Sequence, residues 1–233
     1  MNRRHFLPLL TLPALAALFP ASIFAQDAPE PAAEDIQRLV RLSYIRKDMT
    51  LNGKLRNSTT GAEAPFVLSM LENTIRFRFD NPTQIINLDL NDKGFVLREV
   101  VRGKNTPVPQ KRYAEKIRAT DISYEDLSLR FLYWPNPVKA GEETVKHRSC
   151  WKLRLTNPDA SGSYGTAIIW VDKGSGGILQ MEGYDRQGKL IKRYNIVSGM
   201  KVNDAWMLKQ MRIETYDVAT GKRIGRTYLE LEK

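Results

Sequence analysis

Apolar and polar side chains follow two different periods along this chain. Ile36, Leu39 and Val40 have the spacing of one helix face, which predicts an amphipathic helix from Ala33 to about Asp48. After this helix the period changes to two, as in Ile75–Phe79, where apolar residues alternate with arginines. Alternation of this kind is typical of a strand with one buried face. The pattern therefore predicts a short helix followed by a mainly β domain.

Turn residues separate the alternating stretches at regular intervals. The turn Asn91–Gly94 joins the stretch Ile85–Leu90 to the stretch Phe95–Val101 as a hairpin. From about Glu143 to the end, the pattern shows only strands and turns, which indicates an antiparallel meander. A chain of this length can form one β domain with a sizeable core. We therefore expect a single domain over residues 35–233.

The section between these two groups of strands contains a strongly apolar helix signal. Ser123 and Asp126 have the spacing of a capping box, in which two side chains bind the free amide groups at a helix start. Leu127, Phe131 and Trp134 follow, and two prolines then end the pattern. We expect this short helix to cover the apolar face of the sheet.

One face of the C-terminal meander is aliphatic, whereas the other face is expected to carry Trp170, Tyr184, Tyr194, Trp206, Tyr216 and Tyr228 among charged residues. An aliphatic face is usually packed core, and periodicity alone leaves core and cavity lining open. If this face lines a cavity for an apolar ligand, the lining residues would be Leu127, Phe131, Trp134, Ile169, Val171, Leu179, Met181, Ile191, Met211, Ile213 and Leu229.

The N-terminus has the three regions of a secretion signal. Two arginines precede the apolar run Leu7–Phe24, and the small residue Ala25 suits a cleavage site. We expect residues 1–25 to be a cleaved signal peptide and residues 26–34 a flexible leader, with the protein exported to the periplasm. The paired arginines leave the twin-arginine route open beside general secretion. No cysteine lies at the end of the apolar run, so we expect no lipid attachment there.

Charge and composition narrow the range of partners. The formal net charge is +10, from 36 basic and 26 acidic residues; without Arg3 and Arg4, 34 basic residues remain and the charge is +8. This excess of positive charge is compatible with anionic lipid surfaces or acidic partners, or with scattered solvated charge. No nucleic-acid-binding motif accompanies it, so we expect no nucleic-acid partner.

Residues that support catalysis are scarce. Apart from His5 the only histidine is His147, which is too few for a histidine-rich metal site, and no nucleophile or phosphate-binding motif is found. Cys150 is the sole cysteine and lies in a strand-like stretch, which predicts a buried apolar role. The sequence therefore predicts neither an enzyme nor a bound metal or cofactor.

Several motifs of the C-terminal half together resemble a known group. They are Thr120-Asp-Ile-Ser-Tyr-Glu-Asp-Leu127, Cys150-Trp-Lys-Leu153, Ile169-Trp-Val-Asp-Lys173, Tyr184-Asp-Arg-Gln-Gly-Lys-Leu-Ile-Lys192 and Trp206-Met-Leu-Lys-Gln-Met211. In this order they resemble outer-membrane lipoprotein-sorting proteins of the LolA-like superfamily, with its LolA, LolB, LppX and RseB types. The resemblance implies an α+β, mainly β fold: a half-open antiparallel β-barrel whose concave apolar face is covered by short helices.

The resemblance also implies a role. We expect a monomeric periplasmic carrier that sorts lipoproteins or carries lipids by shielding acyl chains in an apolar cavity. Because the superfamily also includes stress-sensing regulators, the alternative is a regulatory module that binds a protein partner, such as an envelope membrane protein. Fold alone does not separate these two roles.

Overall fold

The computed structural model describes residues 30–44, 48–202 and 205–232. The helices are α1 (Ala33–Ser43) and α2 (Tyr124–Ser128), with short 3₁₀ turns at Gln110–Arg112 and Arg130–Tyr133. The strands are β1 (Met49–Asn57), β2 (Glu63–Leu71), β3 (Thr74–Phe79), β4 (Gln84–Leu90), β5 (Phe95–Val101), β6 (Lys104–Pro107), β7 (Val138–Val145), β8 (Arg148–Thr156), β9 (Thr166–Asp172), β10 (Ile178–Tyr184), β11 (Leu190–Val202), β12 (Ala205–Tyr216) and β13 (Arg223–Glu232). Among the described residues, no helix has the length and apolar character needed to span a membrane.

All thirteen strands belong to one antiparallel sheet, in the order β6-β5-β4-β3-β2-β1-β13-β12-β11-β10-β9-β8-β7. Neighbours in sequence pair with each other, apart from β6 and β7. At the centre, β1 pairs with β13 in a register that places Leu55 opposite Leu229. Strands β6 and β7 are the two edges, so the curved sheet stays open as a half-barrel. This confirms the predicted fold class.

Inward-facing side chains of the sheet form two apolar clusters with side chains of the segments that pack on it. The first cluster comprises Leu51, Leu55, Phe66, Leu68, Met70, Ile75, Phe77, Phe79, Ile86, Leu88, Leu90, Leu97, Val108, Tyr113, Ile117, Ile122, Tyr124, Leu127, Ile213, Leu229 and Leu231. The second cluster comprises Ile36, Val40, Phe131, Leu132, Trp134, Leu153, Leu155, Tyr164, Ala167, Ile169, Val171 and Met181. All of these side chains are buried. Those on strands face inward because the pleat directs alternate residues to the concave face, and the others belong to the segments that pack on it.

The chain passes from one edge of the sheet to the other between Val108 and Pro137, and we call this stretch the crossing segment. Its apolar residues between Val108 and Leu127 belong to the first cluster, and Phe131, Leu132 and Trp134 belong to the second. Helix α1 packs beside it, where the Gln37 side-chain amide donates to the carbonyl of Trp134 at 2.9 Å. The concave face is therefore covered by the chain's own crossing segment, as the sequence pattern predicts.

Two local predictions differ from the structure. Helix α1 ends at Ser43, before the predicted end near Asp48. The apolar helix is split, because Leu129 adopts a left-handed conformation (φ 50°) that ends α2 and starts the 3₁₀ turn. The capping box itself is confirmed: the Ser123 hydroxyl accepts from the Asp126 amide, and the Asp126 carboxylate accepts from the Ser123 amide at 2.7 Å.

The predicted signal peptide, residues 1–25, lies outside the described residues. So does the predicted leader up to residue 29, and α1 begins at Ala33, within the stretch predicted as leader.

Candidate functional site

The predicted lining residues divide between the two clusters. Leu127, Ile213 and Leu229 are buried in the first cluster, and Met211 is half-buried against it. The second cluster holds the other buried members, Phe131, Trp134, Ile169, Val171 and Met181, with Ile191 half-buried against it. The structure thus brings these residues to one concave face, where the crossing segment packs on most of them.

Leu179 differs from the other predicted residues. A β-bulge lies between Ile178 and Gln180 where β10 pairs with β9, and it shifts the alternation of side chains by one residue. Ile178 consequently occupies the inward position and packs against the second cluster, whereas Leu179 belongs to neither cluster. A single strand pattern cannot reveal such a bulge, because the extra residue leaves the apolar character of the stretch unchanged.

Tyr194 was expected on the outer face but lies inside. It pairs with Met181 on one side and with Ile213 on the other, and both of these residues face inward. Its ring packs against both clusters, and its hydroxyl lies 3.0 Å from the hydroxyl of Tyr164. The bulges on both sides of β11 account for the difference, because each one exchanges the inner and outer positions beyond it.

A buried ion pair joins the crossing segment to the sheet. The Lys192 ammonium on β11 donates to the Asp126 carboxylate on α2, and the Tyr164 hydroxyl donates to the other oxygen of the same carboxylate. The side chains of Asp126 and Lys192 are only 2% and 12% exposed. Burial by itself raises the pKa of Asp126, but the Lys192 charge and these hydrogen bonds outweigh burial and hold the pKa below its ordinary value of 3.8. The carboxylate is therefore charged and stabilised in the folded protein.

A second buried pair lies one residue away, on the other side of α2. The Glu125 carboxylate accepts from the backbone amide of Ser163 at 2.7 Å, and its other oxygen lies 3.7 Å from the Arg130 guanidinium. Arg130 also reaches Asp159 at 3.3 Å. Burial raises the pKa of Glu125 despite these partners. Lys192 thus fixes α2 to strand β11, whereas the contacts of Glu125 and Arg130 with Ser163 and Asp159 fix it to the loop between β8 and β9.

Two cavities adjoin the crossing segment. The smaller, of 190 Å³, lies between it and strands β11 and β12, and is lined mainly by polar residues such as Lys116, Ser123 and Lys192. The larger, of 420 Å³, lies at the rim of the sheet between Pro65, Asn81 and Arg118. Of the predicted lining residues only Ile191 borders either cavity. The buried aliphatic residues of the sheet share the two clusters with side chains of the crossing segment.

Half-buried methionines border the first cluster at one end. Met49, Met200, Met207 and Met211 all pack against it while staying partly accessible, and we call these four residues the methionine rim. Methionine side chains are flexible and polarizable, so they adapt to apolar surfaces of different shapes. The rim is therefore a partly accessible, flexible border of the first cluster.

Groups with chemical reactivity are few in the described part of the chain. Cys150 is fully buried, and burial raises the pKa of its thiol, which confirms the predicted apolar role. His147 is exposed. The described residues contain no cluster of three or more histidines, cysteines or carboxylates placed to hold a metal ion.

Comparison with known proteins identifies relatives of this architecture. A family model with the description "uncharacterized protein" matches residues 104–233, more than half of the chain. No curated protein matches the sequence.

Three solved structures share the fold. A domain from Vibrio parahaemolyticus, described as an outer membrane lipoprotein-sorting protein domain, is 18% identical with a TM-score of 0.68, and the alignment covers 87% of this chain and 92% of that one. A DUF1329 family protein from Desulfovibrio piger is 16% identical with a TM-score of 0.66, covering 88% and 92% of the two chains. A LolA superfamily protein from Nitrosomonas europaea is 14% identical with a TM-score of 0.63, covering 88% and 93%. At these identities the likeness shows a LolA-like fold.

Proposed function

The chain belongs to the family of uncharacterized proteins whose model matches residues 104–233, and the chain has the LolA-like fold. On this basis we propose that it is a periplasmic carrier of lipids or lipoproteins, which shields their acyl chains from water. In this proposal residues 1–25 are a cleaved signal peptide, residues 26–34 a leader and residues 35–233 the binding domain. The protein acts by binding and not by catalysis.

One observation carries the proposal. The concave face of a thirteen-strand sheet is apolar and is covered by the crossing segment, which runs from one edge to the other, and by helix α1 beside it. The sheet has no second sheet packed on this face among the described residues. An acyl chain can therefore reach the apolar face by displacing part of one segment, without unpairing any strand.

The energy available to such a ligand is large. Each buried methylene contributes about 0.8 kcal/mol, so about ten methylenes contribute roughly 8 kcal/mol, which is the size of a micromolar affinity. Part of this energy is spent on moving the crossing segment, and the remainder gives reversible binding. Reversible binding suits a carrier, which must release what it holds.

We place the entrance of the acyl chain at the methionine rim. Met211 belongs both to this rim and to the predicted lining, and it lies on β12 two residues before the fully buried Ile213. A chain that enters beside Met211 would run towards Leu127 and Leu229 under the crossing segment, with the remaining predicted residues reached as the segment moves. We therefore propose that the predicted lining residues contact the acyl chain once the crossing segment has moved.

The experiment is native mass spectrometry of the protein purified from the envelope of a bacterial host, followed by titration with a fluorescent fatty acid. We expect a fraction of the protein to carry a lipid-sized mass, and the fatty acid to bind and be displaced by unlabelled palmitate. An Ile224→Ser variant, changed at an exposed position of β13, serves as the control and should bind equally. Protein that is always empty and never takes up fatty acid would refute the carrier.

The alternative is a regulatory module that binds a protein partner, and the two open sheet edges favour it. Every side chain of β6 is exposed, and most of those of β7 are too. An extended segment of a partner can add to such an edge as a further strand. A pull-down from envelope extract separates the two functions: a carrier retains lipoproteins, whereas a regulator retains one membrane protein.

A further inference from the structure

The β11–β12 hairpin extends past the strands on both of its sides. The pairing of β11 with β10 ends at Asn195, and the pairing of β12 with β13 begins at Gln210. The two strands nevertheless continue to pair with each other as far as Val202 and Ala205. We call residues 196–202 and 205–209 the overhang, which is roughly 20 Å of strand at about 3.3 Å per residue.

The overhang has two unlike faces. On the inner face Met200, Val202 and Met207 pack against the first cluster. Trp206 lies on the other side and is 66% exposed, the largest fraction among the large apolar side chains that the structure describes. Its ring lies close to Gly199, where an added Cβ would meet a ring carbon at 3.4 Å, and the Lys201 ammonium lies 5.8 Å from the ring centre. The exposed indole is therefore held in place by its own hairpin.

The overhang also carries positive charge, and Lys201 is the lysine beside this indole. Lys201 and Lys209 are exposed on the overhang, and the Lys146 ammonium reaches it by donating to the Val197 carbonyl at 2.8 Å. Against these three lysines, the sequence from Val197 to Lys209 contains one acid, Asp204. The overhang thus combines an exposed aromatic ring with net positive charge, within a chain whose formal charge is +10.

We propose that the overhang docks the protein on the surface of an anionic lipid bilayer, with Trp206 at the level of the headgroups. Tryptophan favours this level because its ring is apolar and its indole N–H can still bind water or headgroups. Lysines near an anionic membrane surface each strengthen binding about fivefold. A bilayer can accept a single projecting ring without a pocket of complementary shape, whereas a protein partner would need such a pocket. The overhang therefore suits a bilayer better than a protein.

This inference does not depend on the proposed carrier function, because a docked protein need not hold an acyl chain. It is tested by co-sedimentation with sucrose-loaded vesicles of phosphatidylcholine, with and without phosphatidylglycerol. All variants are expressed from the full-length chain, so any contribution of the N-terminus is common to them. We expect binding to the anionic vesicles that Trp206→Ser weakens about tenfold. The double change Lys201→Gln and Lys209→Gln should weaken it by tenfold or more.

The matched control is Ile224→Ser. Ile224 is 61% exposed, close to the value of Trp206, but it lies near the β12–β13 turn at the opposite end of β12. This variant should bind vesicles as the unchanged protein does. Equal losses in the Trp206 and Ile224 variants, or equal binding to both kinds of vesicle, would overturn the proposal.

Fluorescence of the unchanged protein provides a test that needs no variant to fold. Trp134 and Trp170 are buried and Trp151 is half-buried, so Trp206 is the indole that brominated lipids should quench. We expect quenching by brominated anionic vesicles, and its loss in Trp206→Ser. Absence of quenching in the unchanged protein would overturn the proposal. So would a Trp206 variant that changes oligomeric state while vesicle binding stays the same, since the occupant would then be a second copy of the chain.

Discussion

Lys192 on β11 and Asp126 on α2 form a buried ion pair across 66 positions of sequence, and it is one of the contacts that hold the crossing segment on the sheet. The same carboxylate caps α2 through the Ser123 amide. Asp126 therefore links a local structure, the helix start, to a distant strand.

Replacing Lys192 should be costly. Lys192→Met leaves the Asp126 carboxylate buried without its counter-charge, and removing one partner of a buried pair typically costs about 3–5 kcal/mol. Urea denaturation of the variant measures this cost. The control is Lys54→Met, because the Lys54–Glu63 pair at 2.9 Å is open to solvent, which weakens an ion pair, so this change should cost much less than Lys192→Met. Similar costs for the two variants would show that Asp126 gains little from Lys192.

The Asp126 carboxylate should also make stability depend on pH. Because the folded protein lowers its pKa below 3.8, the charged form contributes stability that is fully present above that value and is lost as the pH falls through the lower, folded pKa. Asp126→Asn removes this contribution. We expect the stability difference between the unchanged protein and Asp126→Asn to be constant near neutral pH and to shrink below about pH 4. A difference that stays constant throughout acid denaturation would contradict the lowered pKa.

Phe131 should be essential for packing of the crossing segment. Its side chain is 5% exposed within the second cluster, so Phe131→Ala should cost about 3–5 kcal/mol, and Phe131→Glu should unfold the protein or abolish fatty-acid binding. Leu71→Ala is the control, since Leu71 is 63% exposed and should cost about 0.5 kcal/mol or less. Thermal unfolding measures both variants, and a neutral Phe131→Glu would show that the crossing segment can leave the sheet without penalty.

Met211 and Ile213 separate binding from packing. They lie two residues apart on the same face of β12, but Met211 is half-buried at the methionine rim and Ile213 is fully buried. Met211→Gln should weaken fatty-acid binding and cost about 1 kcal/mol or less, because a rim position has fewer packing partners. Ile213→Gln should cost about 2–5 kcal/mol. If both variants lose the same amount of stability and neither binds fatty acid, this face is packed core and not a binding surface.

Gly183 allows Tyr164 to approach the sheet. A Cβ at Gly183 would lie 2.3 Å from a ring carbon of Tyr164, so Gly183→Ala should push this ring away from Asp126. We expect a cost of about 1–3 kcal/mol, the usual range for overpacking. Gly94→Ala is the control, because a Cβ there meets no atom within 4 Å. Denaturation curves measure the stability of both variants. A Gly183→Ala variant as stable as the unchanged protein would mean that the Tyr164 ring can move aside at no cost.

Local and periodic features were predictable from sequence. The capping box of Ser123 and Asp126 was found because its partners lie three residues apart, and the concave face was found because strands alternate strictly. Leu179 and Tyr194 were misplaced, since β-bulges shift this alternation without changing composition. Likewise, the left-handed Leu129 carries no sequence signal of the glycine type.

Contacts between distant residues were beyond the reach of such patterns. Lys192 reads as one of several charged residues in a strand, and only the path of the crossing segment places Asp126 opposite it. The methionine rim shows the same limit, because its members come from β1, β11 and β12, which meet only in the folded sheet.

The central pairing of β1 with β13 has a consequence for the order of assembly. Asn57 pairs with Thr227, so the middle of the sheet closes only when a strand near the end of the chain meets one near the beginning. Before that, the strands exist as two separate ribbons, each with an unpaired inner edge that can join another chain. Contacts this distant in sequence slow folding, because a long loop must close before any pairing is gained. We expect synthesis interrupted before β13 to leave a chain that aggregates, whereas loss of an edge strand such as β6 would leave the sheet joined.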